Sequence, residues 1–224
     1  MQLSIRIVIN EKLFLKNPED SAIGKNIVNE GLRLINDLGF EEFTFKKLAK
    51  EIGTTEATVY RYFENKHRLL VYLVNWYWTF LDYKVLFQIN NISSPKDRLK
   101  KVIESLVFPM DESNNYTFIN EQRAFELYMK EGSKAYLTRH VSTDNKDQFF
   151  KPYKDLCNRI SVIIGDCNPK YKFSHSLSST LLEMSHTQKY FAMNLPSLAD
   201  LRKEEMDKDL VKFLQEMLFN TIGV

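Results

Sequence analysis

Glycine and proline are scarce in this chain, at seven and six residues of 224. Many-turned β-sandwiches and glycine-rich phosphate loops need more of both, so the shortage excludes them and favours long helices. Cysteine is nearly absent. Cys157 and Cys167 stand ten residues apart and match no metal-binding or redox spacing, which predicts a reduced, cytoplasmic protein. Four histidines and two cysteines leave little material for a Ser-His-Asp or Cys-His catalytic set, and no nucleophile sits in a recognisable elbow. The longest apolar run, residues 69–81, is broken by Asn75 and Thr79 and is too short to span a bilayer. The N-terminus alternates around Arg6 and lacks the continuous apolar stretch of a signal peptide. Charge of one sign is lacking too: the net charge is +2, so any signal for nucleic acid must be local.

What is present is bulk and helical period. Apolar residues make up 44% of the chain and aromatics 13%, enough for a core and an aromatic-lined cavity. Leu3, Ile5, Ile7 and Ile9 alternate with Ser4, Arg6 and Val8, Asn10-Glu11 interrupts, and Leu13 and Leu15 alternate again. This period of two predicts a short β-hairpin or two extended arms over residues 1–17. From Pro18 the period turns helical. Asp20 or Ser21 caps a helix whose apolar face is Ile23, Ile27, Val28, Gly31, Leu34, Ile35 and Leu38, closed by Gly39. Thr44 caps a second helix with Phe45, Leu48, Ala49 and Ile52 inward. Thr55 starts a third with Val59 and Phe63 inward. Asn65 caps a fourth that is apolar nearly all round. Further helices are predicted from Ser94-Pro95 to before Pro109, and over 117–137, 146–165, 172–194 and 199–222, with polar loops at 110–116 and 138–145. The expected fold is all-α: an N-terminal helix-turn-helix three-helix unit followed by a C-terminal helical bundle, about nine helices together, with the short N-terminal hairpin in front. The expected domains are residues 1–17, 18–66 and 67–224.

Residues 44–63 read TFKKLAKEIGTTEATVYRYF, two short amphipathic helices separated by a turn at Gly53-Thr54. That is a helix-turn-helix. Ala49 keeps the close approach small, Gly53 makes the turn and Val59 pins the second helix to the first. The outward face of the second helix then shows Glu56, Ala57, Thr58, Tyr60 and Arg61, with Tyr62 near its end. Small residues at its start let it enter a major groove ~12 Å wide. Tyr60, Tyr62 and Lys66 are placed to donate to flanking phosphates. Residues 46–68 carry six basic side chains (Lys46, Lys47, Lys50, Arg61, Lys66, Arg68) against three acidic ones (Glu51, Glu56, Glu64).

Residues 23–73 resemble the DNA-binding region of the TetR/AcrR transcriptional regulators. The resemblance is carried by Leu38-Gly39-Phe40, Phe45-x-x-Leu48-Ala49, Ile52-Gly53, Thr58-Val59-Tyr60-x-x-Phe63 and Asn65-Lys66-x-x-Leu69-Leu70. It implies an all-helical homodimer that binds a pseudo-palindromic operator in double-stranded DNA. It also implies dimerisation through the last two helices and a small-molecule effector, of unknown identity, in the C-terminal bundle. By the same resemblance Lys46, Thr55, Glu56, Ala57, Thr58, Tyr60, Tyr62 and Lys66 fall at DNA-facing positions. Glu56 is acidic where bases are read, and Ala57 stands where the family often has glycine. The N-terminal segment is not general to the family.

Beyond the resemblance, the aromatic stripe of the fourth helix predicts effector contacts at Trp76, Tyr77, Thr79, Phe80 and Tyr83, joined by Phe125, Tyr128 and His186. Serines among leucines over 174–185, and the apolar face Leu210, Phe213, Leu214, Met217, Leu218, Thr221 and Ile222, suit a four-helix dimer seam. No cofactor or metal is expected. Two rival readings remain. Glu64-x-x-His67 and Glu183-x-x-His186 both match the ligand pattern of a di-metal carboxylate bundle enzyme. A DNA-localised protein-interaction module without a small-molecule effector is the other.

Overall fold

The computed structural model describes residues 7–109 and 118–224, and among them the secondary structure is entirely helical. Ten α-helices occur among the described residues: α1 (Ala22–Leu38), α2 (Phe45–Glu51), α3 (Glu56–Tyr60), α4 (Lys66–Ile89), α5 (Pro95–Val107), α6 (Glu121–Glu131), α7 (Val141–Lys146), α8 (Lys151–Cys167), α9 (Ser174–Asn194) and α10 (Met206–Ile222). The chain forms two compact units whose boundary runs through α4 after Phe80.

The first unit holds residues 7–80 and 118–152. Its helices begin where side chains satisfy free backbone donors: Ser21 accepts from the Gly24 N–H, Thr44 from Lys47, Thr55 from Thr58 and Asn120 from Arg123. Ile27, Val28, Leu48, Val59, Phe63, Leu69 and Leu70 close a core at or near zero exposure. Gly24 is required by packing, because a Cβ there would sit 2.4 Å from the Pro18 carbonyl oxygen.

The expected hairpin is not present among the described residues. Asn10 caps a 3-10 turn at Glu11–Leu13, and a second such turn spans Pro18–Asp20. Among the described residues of the segment, Ile7, Ile9 and Leu13 turn into the core from irregular backbone. Residues 1–6 and the loop expected over 110–116 lie outside the described residues. The helix expected over 117–137 is shorter, with a 3-10 turn at Gly132–Ala135. Part of the loop expected at 138–145 is α7. That short helix is held through a charge: Asp144, buried, accepts from the Arg68 guanidinium at 3.3 Å, and Arg68 lies 4.6 Å over the Phe149 ring.

The second unit holds residues 81–109 and 153–224. Here α5, α9 and α10 pack together, with Leu99, Ile103, Leu181, Leu182, Leu210, Leu214 and Leu218 buried. Arg159 grips Asp82 through two bonds of 2.7 and 2.9 Å, and the Asn168 amide donates to the Ile222 carbonyl at 2.8 Å. Ser178 and Ser185, fully buried, spend their hydroxyls on carbonyls of their own helix. The last helix begins later than expected, at Met206, and short 3-10 turns at Pro196–Leu198 and Lys203–Glu205 precede it.

Candidate nucleic-acid interface

Helices α2 and α3 meet at a turn in which Gly53 has φ +68°, a left-handed conformation that side chains with a Cβ rarely adopt. The Thr54 N–H returns to the Ala49 carbonyl at 2.8 Å, which ties the turn to the end of α2. Leu48, Ala49 and Val59 are buried between the helices. The Tyr60 ring stands edge-on to Phe45 with centroids 5.0 Å apart, yet Tyr60 stays 48% exposed. Packing therefore orients its ring while leaving about half of the residue exposed.

Once those contacts are made, Thr55, Glu56, Ala57, Tyr60 and Arg61 are exposed and Thr58 is half-buried. The Thr55 and Thr58 hydroxyls lie 3.1 Å apart, so each is already oriented by the other. Lys46 and Arg61 are exposed and carry no ion pair among the described residues. Lys50, one turn beyond Lys46 on the same helix face, is in the same state; sequence reasoning counted its charge but did not place it at the interface. Neighbouring cations are already engaged. Lys47 bonds the Glu42 carbonyl at 2.7 Å, and Arg33 binds Glu30, Asp37 and Glu51. Uncommitted positive charge is thus concentrated beside the α3 ridge.

Two expected contact residues are placed elsewhere. Tyr62 is 2% exposed and its hydroxyl shares a 2.8 Å hydrogen bond with Ser21, so it anchors α1 rather than facing outward. It lies past the last turn of α3, where the helical phase no longer turns it outward. The Lys66 ammonium donates to the Phe40, Glu41 and Phe43 carbonyls at 2.9, 2.9 and 3.2 Å and lies 4.7 Å from the Phe40 ring centroid. Its donors are spent on the loop between α1 and α2.

That same loop is held from the other side by α6. Glu131, buried, accepts the Phe40 N–H at 3.0 Å. Lys134 bridges Glu131 and Glu41 at 2.8 and 3.1 Å, and the Asn36 amide donates to the Arg123 carbonyl at 2.9 Å. The helix-turn-helix is therefore clamped to α6 by one buried carboxylate and two further polar contacts.

The expected effector residues separate. Trp76 and Phe80 stack at 5.2 Å, and Tyr77 stacks on Tyr128 at 5.2 Å with Phe125 at 6.3 Å, all within the first unit. Burial raises the Tyr77 phenol well above its ordinary range. The Thr79 hydroxyl donates back to the Asn75 carbonyl at 2.8 Å, and Tyr83, in the second unit, is 43% exposed. His186 also belongs to the second unit: its Nδ1 donates to the Leu182 carbonyl at 2.7 Å, and burial pushes its pKa down to about 4. Of the rival metal motif, Glu64 lies outside α4 on the surface, 3.7 Å from Arg68. Glu183 accepts the Tyr153 hydroxyl at 2.9 Å. No cluster of metal-binding side chains occurs among the described residues.

A glycine-turned helix pair with an exposed, cation-flanked second helix, followed by a helical companion, defines a helix-turn-helix DNA-binding protein. Residues 27–73 match the model of the bacterial regulatory proteins of the tetR family. The match takes in most of α1, all of α2 and α3 and the start of α4. Among curated proteins no match is found. The fold is similar to that of the fatty acid degradation regulator FadR from Bacillus halodurans, at 15% identity and a TM-score of 0.61, covering 86% of this chain and 96% of that one. AibR in complex with isovaleryl coenzyme A and operator DNA is similar at 15% identity and a TM-score of 0.61, over 87% and 98%. The TetR family regulator PfmR from Thermus thermophilus is similar at 14% identity and a TM-score of 0.58, over 86% and 96%. At these identities the likeness is one of fold. Among the described residues no helix is long and apolar enough to cross a membrane.

Proposed function

We propose that this protein is a cytoplasmic transcriptional regulator, a repressor rather than an enzyme, that binds a pseudo-palindromic operator as a homodimer and is released by a small molecule. The observation that carries the reading is the exposed α3 ridge beside uncommitted cations. Thr55, Glu56, Ala57 and Thr58 read base edges, with Glu56 accepting from a cytosine amino group. Lys46, Tyr60 and Arg61 hold phosphates and set the register. Functionally the chain divides into the segment before residue 18, the DNA-binding domain over 18–66 and the effector and dimer part over 67–224. The α9 and α10 helices form the dimer seam, and the exposed Met193 and Phe213 support this. The two recognition helices then enter successive major grooves ~34–36 Å apart.

The effector acts on the aromatic cluster of α4 and α6, built from Trp76, Tyr77, Phe80, Phe125 and Tyr128. Any shift of α6 there reaches the DNA-binding helices through the Glu131 bond to Phe40 and the Asn36 bond to Arg123. The effector releases DNA only to the extent that it binds the displaced arrangement more tightly. A mobility-shift assay on the DNA upstream of the protein's own coding region, repeated across a salt titration, tests the reading. Saturable binding that weakens with a power of salt is expected. Absence of a shift at micromolar protein and low salt overturns it.

A further inference from the structure

The family match begins at residue 27, but an ordered segment before it is tied to the end of the recognition helix. The Leu15 N–H donates to the Tyr62 carbonyl at 2.8 Å, and the Ser21 and Tyr62 hydroxyls bond at 2.8 Å. Lys16 lies between these two anchors, with its ammonium 5.4 Å above the Tyr62 ring. Upstream, Ile7, Ile9 and Leu13 are buried, and the Asn10 amide donates to the Asp147 carbonyl at 2.8 Å. The backbone around Lys16 is thus held at both ends, and its position relative to Tyr62 and the adjoining Arg61 is set by the fold.

Charge distinguishes the two lysines of this segment. Lys12 is neutralised by Asp147 at 2.7 Å. Lys16 is exposed and carries no ion pair among the described residues; its stem covers a buried phenol and leaves the ammonium at the surface. A fold that pairs Lys12, Lys47 and Arg33 but leaves uncompensated both Lys16, over the Tyr62 ring, and Arg61, the chain neighbour of Tyr62, provides a place for an external anion.

We propose that residues 7–17 form a strap that adds Lys16 to the phosphate-contacting rim, extending the DNA interface beyond the helix-turn-helix. The ligand is the sugar–phosphate backbone of duplex DNA, contacted without regard to sequence. The inference rests on the DNA-binding function proposed above. The test measures affinity of the full chain for a mixed-sequence duplex against salt, since such binding is governed by counterion release and needs no operator. Each phosphate neutralised contributes about 0.9 to the slope of log affinity against log salt. Lys16→Ala and Lys16→Met are expected to lower the slope by about that amount per chain, Lys16→Arg to keep it and Lys12→Ala to leave it unchanged. Lys16→Met keeps the aliphatic cover on Tyr62, so it separates loss of charge from loss of packing. If Lys16→Met retains the full slope while Arg61→Ala lowers it, the strap is not a contact and the DNA-binding reading stands. If Lys12→Ala lowers the slope as much as Lys16→Met, a general charge effect replaces the specific contact. If Arg61→Ala also leaves the slope unchanged, the failure lies with the DNA-binding reading itself.

Discussion

Replacing Lys66 by methionine separates an internal clamp from a phosphate contact. The ammonium serves three carbonyls of one loop, at 2.9, 2.9 and 3.2 Å, and lies over the Phe40 ring. Hydrogen bonds to a charged group are worth about 1.5–3 kcal/mol each. These three share one charge on a partly exposed side chain, so their loss is expected to cost about 2–3 kcal/mol rather than their sum. For a chain of this size each kcal/mol lowers the melting temperature by about 2–4 °C. Calorimetry should therefore show a drop of about 4–12 °C. Hydrogen exchange should accelerate at the amides of residues 40–43. In DNA-binding titrations the salt slope should stay within experimental error of the wild type. A phosphate-binding lysine behaves in the opposite way: removing it leaves the free protein's stability nearly untouched and takes about 0.9 from the slope. That second pattern would refute the clamp.

Four further outcomes follow from the geometry. Glu131→Ala leaves the Phe40 N–H without its acceptor and removes a partner of Lys134, which should cost about 1–3 kcal/mol; unaltered exchange at the Phe40 amide would count against the clamp between α6 and the DNA-binding helices. Gly24→Ala drives a Cβ against the Pro18 backbone, which cannot swing aside, and should destabilise by about 1–3 kcal/mol in denaturant unfolding. Thr58→Ala or Glu56→Ala should change preference at one base step by about 1–3 kcal/mol in competition binding, and a uniform loss on every sequence would sink the base-reading role. Burial holds the folded-state pKa of His186 at about 4, below its ordinary value near 6.5, so the unfolded chain takes up a proton that the folded one refuses. The stability this group permits is fully present above about pH 6.5 and falls as the pH drops toward 4, by about 2 kcal/mol at pH 5. Replacing His186 by leucine should remove that part of the acid sensitivity in urea unfolding measured between pH 7 and 5.

The helix-turn-helix was legible because its signals are local. Thr44 and Thr55 cap the helices they precede in the sequence, Gly53 takes the positive φ that its turn demands, and Val59 buries as its spacing predicts. Tyr62 was not, because a helical phase holds only inside a helix and α3 ends at Tyr60. Lys66 was misplaced for a different reason: its partners are carbonyls 23 to 26 residues away, which no side-chain pattern reveals. The strap defeated a reading by period, since Ile7, Ile9 and Leu13 alternate as strand residues do but pack singly into the core. Residues 138–145 read as polar because α7 is held by Asp144 on Arg68 and has few apolar side chains to signal it. The aromatic stripe of α4 was visible in the sequence, but how it is shared between the two units was not, since the boundary falls inside one unbroken helix.

Selection of bound duplexes from a fully randomised library tests the central claim most directly. If α3 is the ridge that enters the groove and two chains act together, the enriched sequences should converge on a two-fold symmetric motif, and Thr58→Ala should change the same base pair in both halves. Enrichment without symmetry, or a motif indifferent to every substitution on α3, would contradict the account.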